Sequence, residues 1–196
     1  MNIIIAGCGK VGRALAEQLS KEKHDITVID LKPESIQLVT NAADVRGVVG
    51  NGASYDIQMD AGVDKADLMI AVTNADEVNL LCCLIAKKAG GCQTIARVRN
   101  PVYHHEIHHI KDELGLSMVI NPEWAAAMEM ARLLRFPSAI DIDTFANGRI
   151  ELLRFQLDDK NPLCGHKIRD LDTLSKCEVL VCIVERGNEV RIPGGE

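Results

Sequence analysis

Short β-branched runs and amphipathic stretches alternate along the first two thirds of the chain. The runs Asn2–Ala6, Ile26–Asp30, Val45–Val49, Leu68–Val72, Thr94–Val98 and Ser117–Ile120 are brief, mostly apolar and rich in Ile and Val. Between them, stretches 11–22, 33–42, 54–61, 76–89, 102–113 and 122–134 repeat apolar residues at the three-to-four spacing of a helix with one buried face. Strands apolar on both sides need cover on both sides. Strict strand–helix alternation therefore predicts a parallel sheet with helices on its two faces. The last helix has clear start chemistry: Asn121 as cap, Pro122 at the first helical position and Glu123 at the positive end of the dipole. Its apolar residues Trp124, Met128 and Leu134 suit either covering the sheet or packing on a partner subunit.

The pattern changes after Phe136-Pro137, which stops that helix. Strand-like segments follow at Arg149–Leu157, Glu178–Glu185 and Glu189–Ile192, separated by turn residues Asn147-Gly148, Asn161-Pro162 and Gly187-Asn188. A boundary near 136–140 is expected, dividing a domain of residues 1–135 from a small α+β lobe of residues 140–196. The abrupt ending Pro193-Gly194-Gly195-Glu196 reads as a truncated lobe or a piece of a longer protein.

Composition narrows the class. With 47% hydrophobic and 26% charged residues the chain is ordinary for a folded protein, and only 3% aromatics leave the core to Ile, Val, Leu and Ala. A formal net charge of -6 argues against nucleic acid as partner, because phosphates call for an excess of Lys and Arg. No export signal precedes the first strand, and no apolar run approaches the roughly 20 residues of a membrane span. The seven cysteines follow no regular spacing and read as reduced thiols, mostly core residues, of a cytoplasmic protein.

Candidate chemistry begins at Gly7-Cys8-Gly9-Lys10-Val11-Gly12. This G-x-G-x-x-G follows a strand and opens a helix, the context in which glycines serve a dinucleotide: a tight turn at Gly7, close backbone approach at Gly9, helix–strand packing at Gly12. Helix N–H groups then face phosphate. Asp30 closes the second strand 18 residues past Gly12, where a carboxylate accepts ribose hydroxyls and repels a 2′-phosphate, favouring NAD over NADP. Asn51 and Gly52 after the third strand, and Thr73-Asn74 after the fourth, fall at the same carboxyl edge. Arg97 and Arg99 end the fifth strand. By alternation one of them faces the cleft, and Arg97 is the expected phosphate partner. The fold read from these residues is Rossmann-like and doubly wound, and its ligand is an adenine nucleotide, NAD(H) or ATP/ADP.

A second motif leads nowhere. His105-Glu106-Ile107-His108-His109 spells H-E-x-x-H, and His104 with His108 forms another i, i+4 pair. No recognisable third ligand follows, and a polar helix face is the simpler reading. Metal binding by His104–His109 stays open. Cys82-Cys83 lie mid-helix without a second pair.

Taken together, the glycine loop, Gly50-Asn51-Gly52-Ala53-Ser54, Ala71-Val72-Thr73-Asn74-Ala75-Asp76-Glu77-Val78-Asn79, Ala96-Arg97-Val98-Arg99 and the segment from Gly115 to Glu123 resemble the RCK, or KTN, domains that regulate potassium channels and transporters. The resemblance spans the whole chain. It implies a regulatory domain rather than an enzyme, binding NAD(H) or ATP/ADP and assembling as a homodimer or higher ring. It also implies a Trk-type membrane potassium transporter subunit as partner, and a location at the inner face of the membrane. By the same resemblance the glycine loop and Arg97 hold phosphates, Asp30 holds ribose, and Asn51 with Thr73-Asn74 line the adenosine site. Lys10 matches a basic residue that reaches a terminal phosphate across the dimer. The alternative is a small NAD-dependent oxidoreductase. Against it, Tyr103 is followed four residues later by Ile107 rather than Lys, and the region after 140 is small for a substrate domain.

Overall fold

The computed structural model describes residues 1–146, 149–171 and 180–194, apart from the side chains of His104, His105 and His108. Two compact units are present, Met1–Glu129 and Met130–Glu196. The first runs β1 (Asn2–Ala6), α1 (Lys10–Lys21), β2 (Asp25–Asp30), α2 (Pro33–Ala42), β3 (Arg46–Val49), α3 (Tyr55–Asp60), β4 (Leu68–Ala71), α4 (Asp76–Ala89), β5 (Gln93–Arg97), α5 (Pro101–Ile110) and β6 (Met118–Ile120). The division between units falls inside α6 (Pro122–Arg135).

All six strands are parallel, in the order β3-β2-β1-β4-β5-β6. Register is anchored at β1, where Ile5 faces Val28 on one side and Ile70 on the other. Side chains alternate across a strand, so Ile3 and Ile5 enter one core with Val28, Ala16 and Val39, while Ile4 and Ala6 enter the other with Ile29, Met69, Cys82 and Cys83. Both faces are covered, as the unbroken apolar runs require. The order reverses between β1 and β4, which makes their carboxyl ends the switch point of a doubly wound sheet.

Helix starts follow their signals. Pro33, Pro101 and Pro122 open α2, α5 and α6. Asn100 accepts a hydrogen bond from the Val102 amide, and Asn121 accepts one from the Trp124 amide at 2.9 Å. No residue of α6 is buried, and Trp124, Met128 and Leu134 are exposed. Of the two uses read from its apolar face, covering the sheet is thus not the one seen.

The second unit contains two ribbons. In the first, β7 (Ala139–Phe145) pairs antiparallel with β8 (Ile150–Phe155), with an irregularity between Ala139 and Asp141. In the second, β9 (Val184–Arg186) pairs with β10 (Glu189–Arg191) across Gly187, which takes φ +61° at the expected turn. Asn161 accepts from the Leu163 amide in the other expected turn. The strand expected over Glu178–Glu185 is corrected: pairing begins only at Val184, and 178–179 lie outside the described residues, as do Asn147-Gly148. An apolar run has strand composition, but the ladder extends only as far as the partner it pairs with.

Candidate functional site

The glycine loop joins β1 to α1 at the switch point. Gly7 takes φ +103°, and a side chain there would press on the Thr73 backbone nitrogen, 2.8 Å from an added Cβ. Gly12 has no room either, since an added Cβ would collide with the Gly7 carbonyl oxygen. Both glycines are demanded by the chain's own packing. Gly9 is different. Its backbone is extended, φ -70° and ψ -167°, and an added Cβ would meet no protein atom within 4 Å. Nothing in the chain itself requires glycine there, while a ligand lying against the backbone would.

The first hydrogen bond of α1 runs from the Arg13 amide to the Gly9 carbonyl at 3.0 Å. The amides of Lys10, Val11 and Gly12 are then the ones an α-helix leaves without internal acceptors. Lys10 is exposed beside them. The Cys8 amide is already spent, donating to Asp30 Oδ2 at 2.7 Å, and Asp30 Oδ1 accepts from the Lys32 amide at 2.9 Å. Each carboxylate oxygen keeps capacity for a further donor such as a ribose hydroxyl. The Cys8 side chain points into the core, where burial first and the Asp30 charge second push its thiol up to about 12. Cys8 can therefore contribute only its backbone to a ligand.

The neighbouring loops lie at the same carboxyl edge. Asn51 is exposed, and its Oδ1 accepts from the Ala53 amide at 3.0 Å, which leaves the Nδ2 donors. Thr73 is half-buried and Asn74 exposed. Arg97 Nη2 donates to the Thr73 carbonyl at 2.8 Å, and its buried Nε has no hydrogen-bond partner. Arg99 Nη2 donates to the Asn74 carbonyl, and Arg99 Nε stands 3.7 Å from Asp76 Oδ1, an ion pair beyond hydrogen-bond reach. The expectation that only one arginine could turn this way is corrected. Alternation ends with β5 at Arg97, and both guanidinium groups reach carbonyls of the same β4–α4 loop.

Three residues not singled out from the sequence bear on this edge. Arg13 has a buried Nε without a hydrogen-bond partner close to the loop, and lowers the Cys8 thiol against the larger effects. Gln58, fully buried, donates from Nε2 to the Gly52 and Cys82 carbonyls at 2.7 and 2.9 Å, fastening the Gly50–Gly52 turn to α4. Asn79, also fully buried, bonds to Thr73 and Arg97. All three look like solvent-facing polar residues in a helical pattern, and only spatial contact distinguishes them. Cavities of about 170 and 510 Å³, lined by Asn2 and Lys65 and by His24 and Arg46 respectively, lie at the opposite, amino-terminal edge of the sheet. Among the described residues, no group of three or more His, Cys, Asp or Glu could hold a metal. The His104, His105 and His108 side chains lie outside them.

Sheet order, the glycine loop at the switch point and Asp30 at the end of β2 define a Rossmann-like domain whose candidate site residues gather at the carboxyl edge of the sheet. The TrkA-N domain family model matches residues 3–122. The chain belongs to the TrkA-N domain family. It is 37% identical over 196 residues to a Trk system potassium uptake protein TrkA homolog of Archaeoglobus fulgidus, covering 100% of this chain and 44% of that protein. The chain spans about half the length of the curated relatives it matches. Among solved structures it is similar to the TrkA-N domain of inner membrane protein ybaL from Escherichia coli, at TM-score 0.60 and 25% identity over 68% of this chain and 96% of that one. It also shares its fold with the GsuK channel, solved bound to NAD, at TM-score 0.53 and 20% identity over 73% of this chain and 24% of that one.

Proposed function

We propose that this chain is a nucleotide-binding regulatory domain that gates a Trk-type membrane potassium transporter in response to NAD(H) or ATP/ADP. The observation that carries the nucleotide is Gly9: a glycine that the chain's own geometry does not require, at the mouth of a helix with unspent N–H groups. In this reading the Gly7-Cys8-Gly9 turn carries the loop to the phosphates, the helix-end amides of Lys10, Val11 and Gly12 donate to them, and Lys10 and Arg97 offer charge. The Gly7 and Cys8 amides stay bonded to the Ile29 carbonyl and to Asp30. Asp30 holds the ribose and disfavours a 2′-phosphate, while Asn51, Thr73 and Asn74 line the adenosine side. The nucleotide supplies an anion whose position depends on the protein's state, which is what a switch needs. A ligand shifts a conformational equilibrium only by its difference in affinity for two states.

The membrane partner, the homodimeric or ring assembly and the place at the inner membrane face rest on the kinship with Trk uptake proteins. Among the described residues no helix is long and apolar enough to cross a membrane. In a dimer, Lys10 reaching a terminal phosphate on the neighbouring subunit would give the two states their different affinities.

Thermal unfolding with NADH, NAD, ATP and ADP tests the reading directly. Ligand at 100 times its dissociation constant adds about 2.7 kcal/mol, a rise of about 5–10 °C at this size. Asp30→Ala should weaken that rise. No shift with any of the four would refute the nucleotide site. Sustained oxidation of NADH in the presence of a small oxo-substrate would overturn regulation in favour of an oxidoreductase.

A further inference from the structure

Asn79 lies in the first turn of α4 with no exposed surface. Its Oδ1 accepts from both the Thr73 amide and the Thr73 hydroxyl, each at 2.7 Å. Its Nδ2 donates to the Arg97 carbonyl at 2.8 Å and to the Thr73 carbonyl at 3.3 Å. The four bonds use both donors and both acceptor sites of the amide. Turning the amide over would set an oxygen against two carbonyls. The network therefore fixes one orientation. Arg97 closes the ring by donating from Nη2 to the same Thr73 carbonyl.

The sheet does not do this work itself. The β4–β5 ladder ends at the pair Ala71–Ala96, so Thr73 lies beyond the last backbone pairing. Side chains hold Thr73 in register with Arg97: the Asn79 amide bridges the two backbones, and the Arg97 guanidinium bonds the Thr73 carbonyl. Asp76, at the start of the same turn, secures the next stretch by accepting from the Arg99 and Asn100 amides at 2.9 and 2.8 Å.

We infer that Asn79 is a positioning residue of the nucleotide site, setting Thr73 and Arg97 as one unit so that the adenosine side and the phosphate side of the site move together. The inference rests on the nucleotide reading above. Asn79 is buried behind both groups and acts through them.

Calorimetric titration of the full chain with ADP tests it, using wild type, Asn79→Ala, Arg97→Gln and the double variant, with circular dichroism to establish that each is folded. The expected result is a loss of affinity of about tenfold or more for Asn79→Ala, since bonds made to buried groups are costly to leave unmade. The double variant should lose less than the product of the single losses, because contacting residues in one network are not additive. A buried amide with a purely structural role predicts either wild-type affinity or losses that multiply, and either result overturns the inference. If Asn79→Ala does not fold, Asn79→Asp takes its place. It keeps the acceptor toward Thr73 and turns the donor toward Arg97 into an acceptor, so the same loss and the same non-additivity are expected. Wild type that binds neither ADP nor NADH would refute the nucleotide reading and this inference with it. That outcome is distinct from a binding wild type whose variants are indifferent.

Discussion

The two units of this chain use apolar residues in opposite ways. In Met1–Glu129, Ile5, Ala6, Val28 and Met69 have no exposed surface, and both faces of the sheet feed a core. Beyond Glu129, Ile142 stands alone among the buried hydrophobic residues described, while Phe145, Ile150, Phe155, Val190 and Ile192 are exposed. Hydrophobic content is similar, but topology differs. A parallel sheet needs crossover helices, and those helices bury it. A two-stranded ribbon satisfies its backbone with one partner and has no built-in cover, so by itself it is marginal in water. Apolar sequence thus produces a core only where the connections supply a second layer.

The largest contrast should appear in local opening. Amides of β1 and β4 should exchange only near the global unfolding free energy, while those of β7–β10 exchange by local opening. Hydrogen exchange read by mass spectrometry should separate the two sets by several orders of magnitude in rate, and uniform protection would break the comparison. Glycine substitutions sharpen it next. Gly12→Ala drives a methyl into the Gly7 carbonyl and should cost about 3 kcal/mol or more. Gly165→Ala meets no neighbour within 4 Å and suffers only its positive φ of +82°, about 1–2 kcal/mol. Denaturant unfolding of the two variants would check the order.

A third contrast concerns ligand. If nucleotide binds the first unit alone, ADP should raise the midpoint of that unit by the amount expected for about 2.7 kcal/mol and leave exchange in β7–β10 unchanged, and in Asp30→Ala the rise should be smaller. Protection that spreads evenly through β7–β10 would break the division.

Much of the first unit could be read from the chain. Ile-rich runs mark β1 and β2 to within a residue, and Pro33, Pro101 and Pro122 mark helix starts, because proline chemistry is local. The glycine loop was legible for the same reason. What escaped was whatever depends on contact between distant residues. Nothing local separates Asn79 or Gln58 from a surface residue of an amphipathic helix, nor announces that Arg99 turns toward Asn74. In the second unit the apolar run before Val184 has strand composition, yet a strand exists only where a partner pairs with it, and partners are not written locally.

The smallest effect is a pH dependence carried by the buried thiols of the first unit. Burial raises the Cys82 thiol from its ordinary value of 9.0 to about 12, and burial likewise raises Cys8, Cys83 and Cys92. Below pH 9 a thiol is protonated in folded and unfolded chains alike, and it adds no pH dependence. Above that value the unfolded chain releases the proton while the folded chain keeps it, so stability falls between about pH 9 and pH 12. For one thiol the loss is on the order of 1 kcal/mol by pH 10. Cys82→Ala should therefore lower stability at pH 7 through a small cavity, yet lose about 1 kcal/mol less than wild type on going from pH 7 to pH 10. Equal slopes for Cys82→Ala and wild type would mean that the thiol ionises freely in the folded chain. The core beneath the Gly50–Gly52 turn would then be wetter than its packing implies.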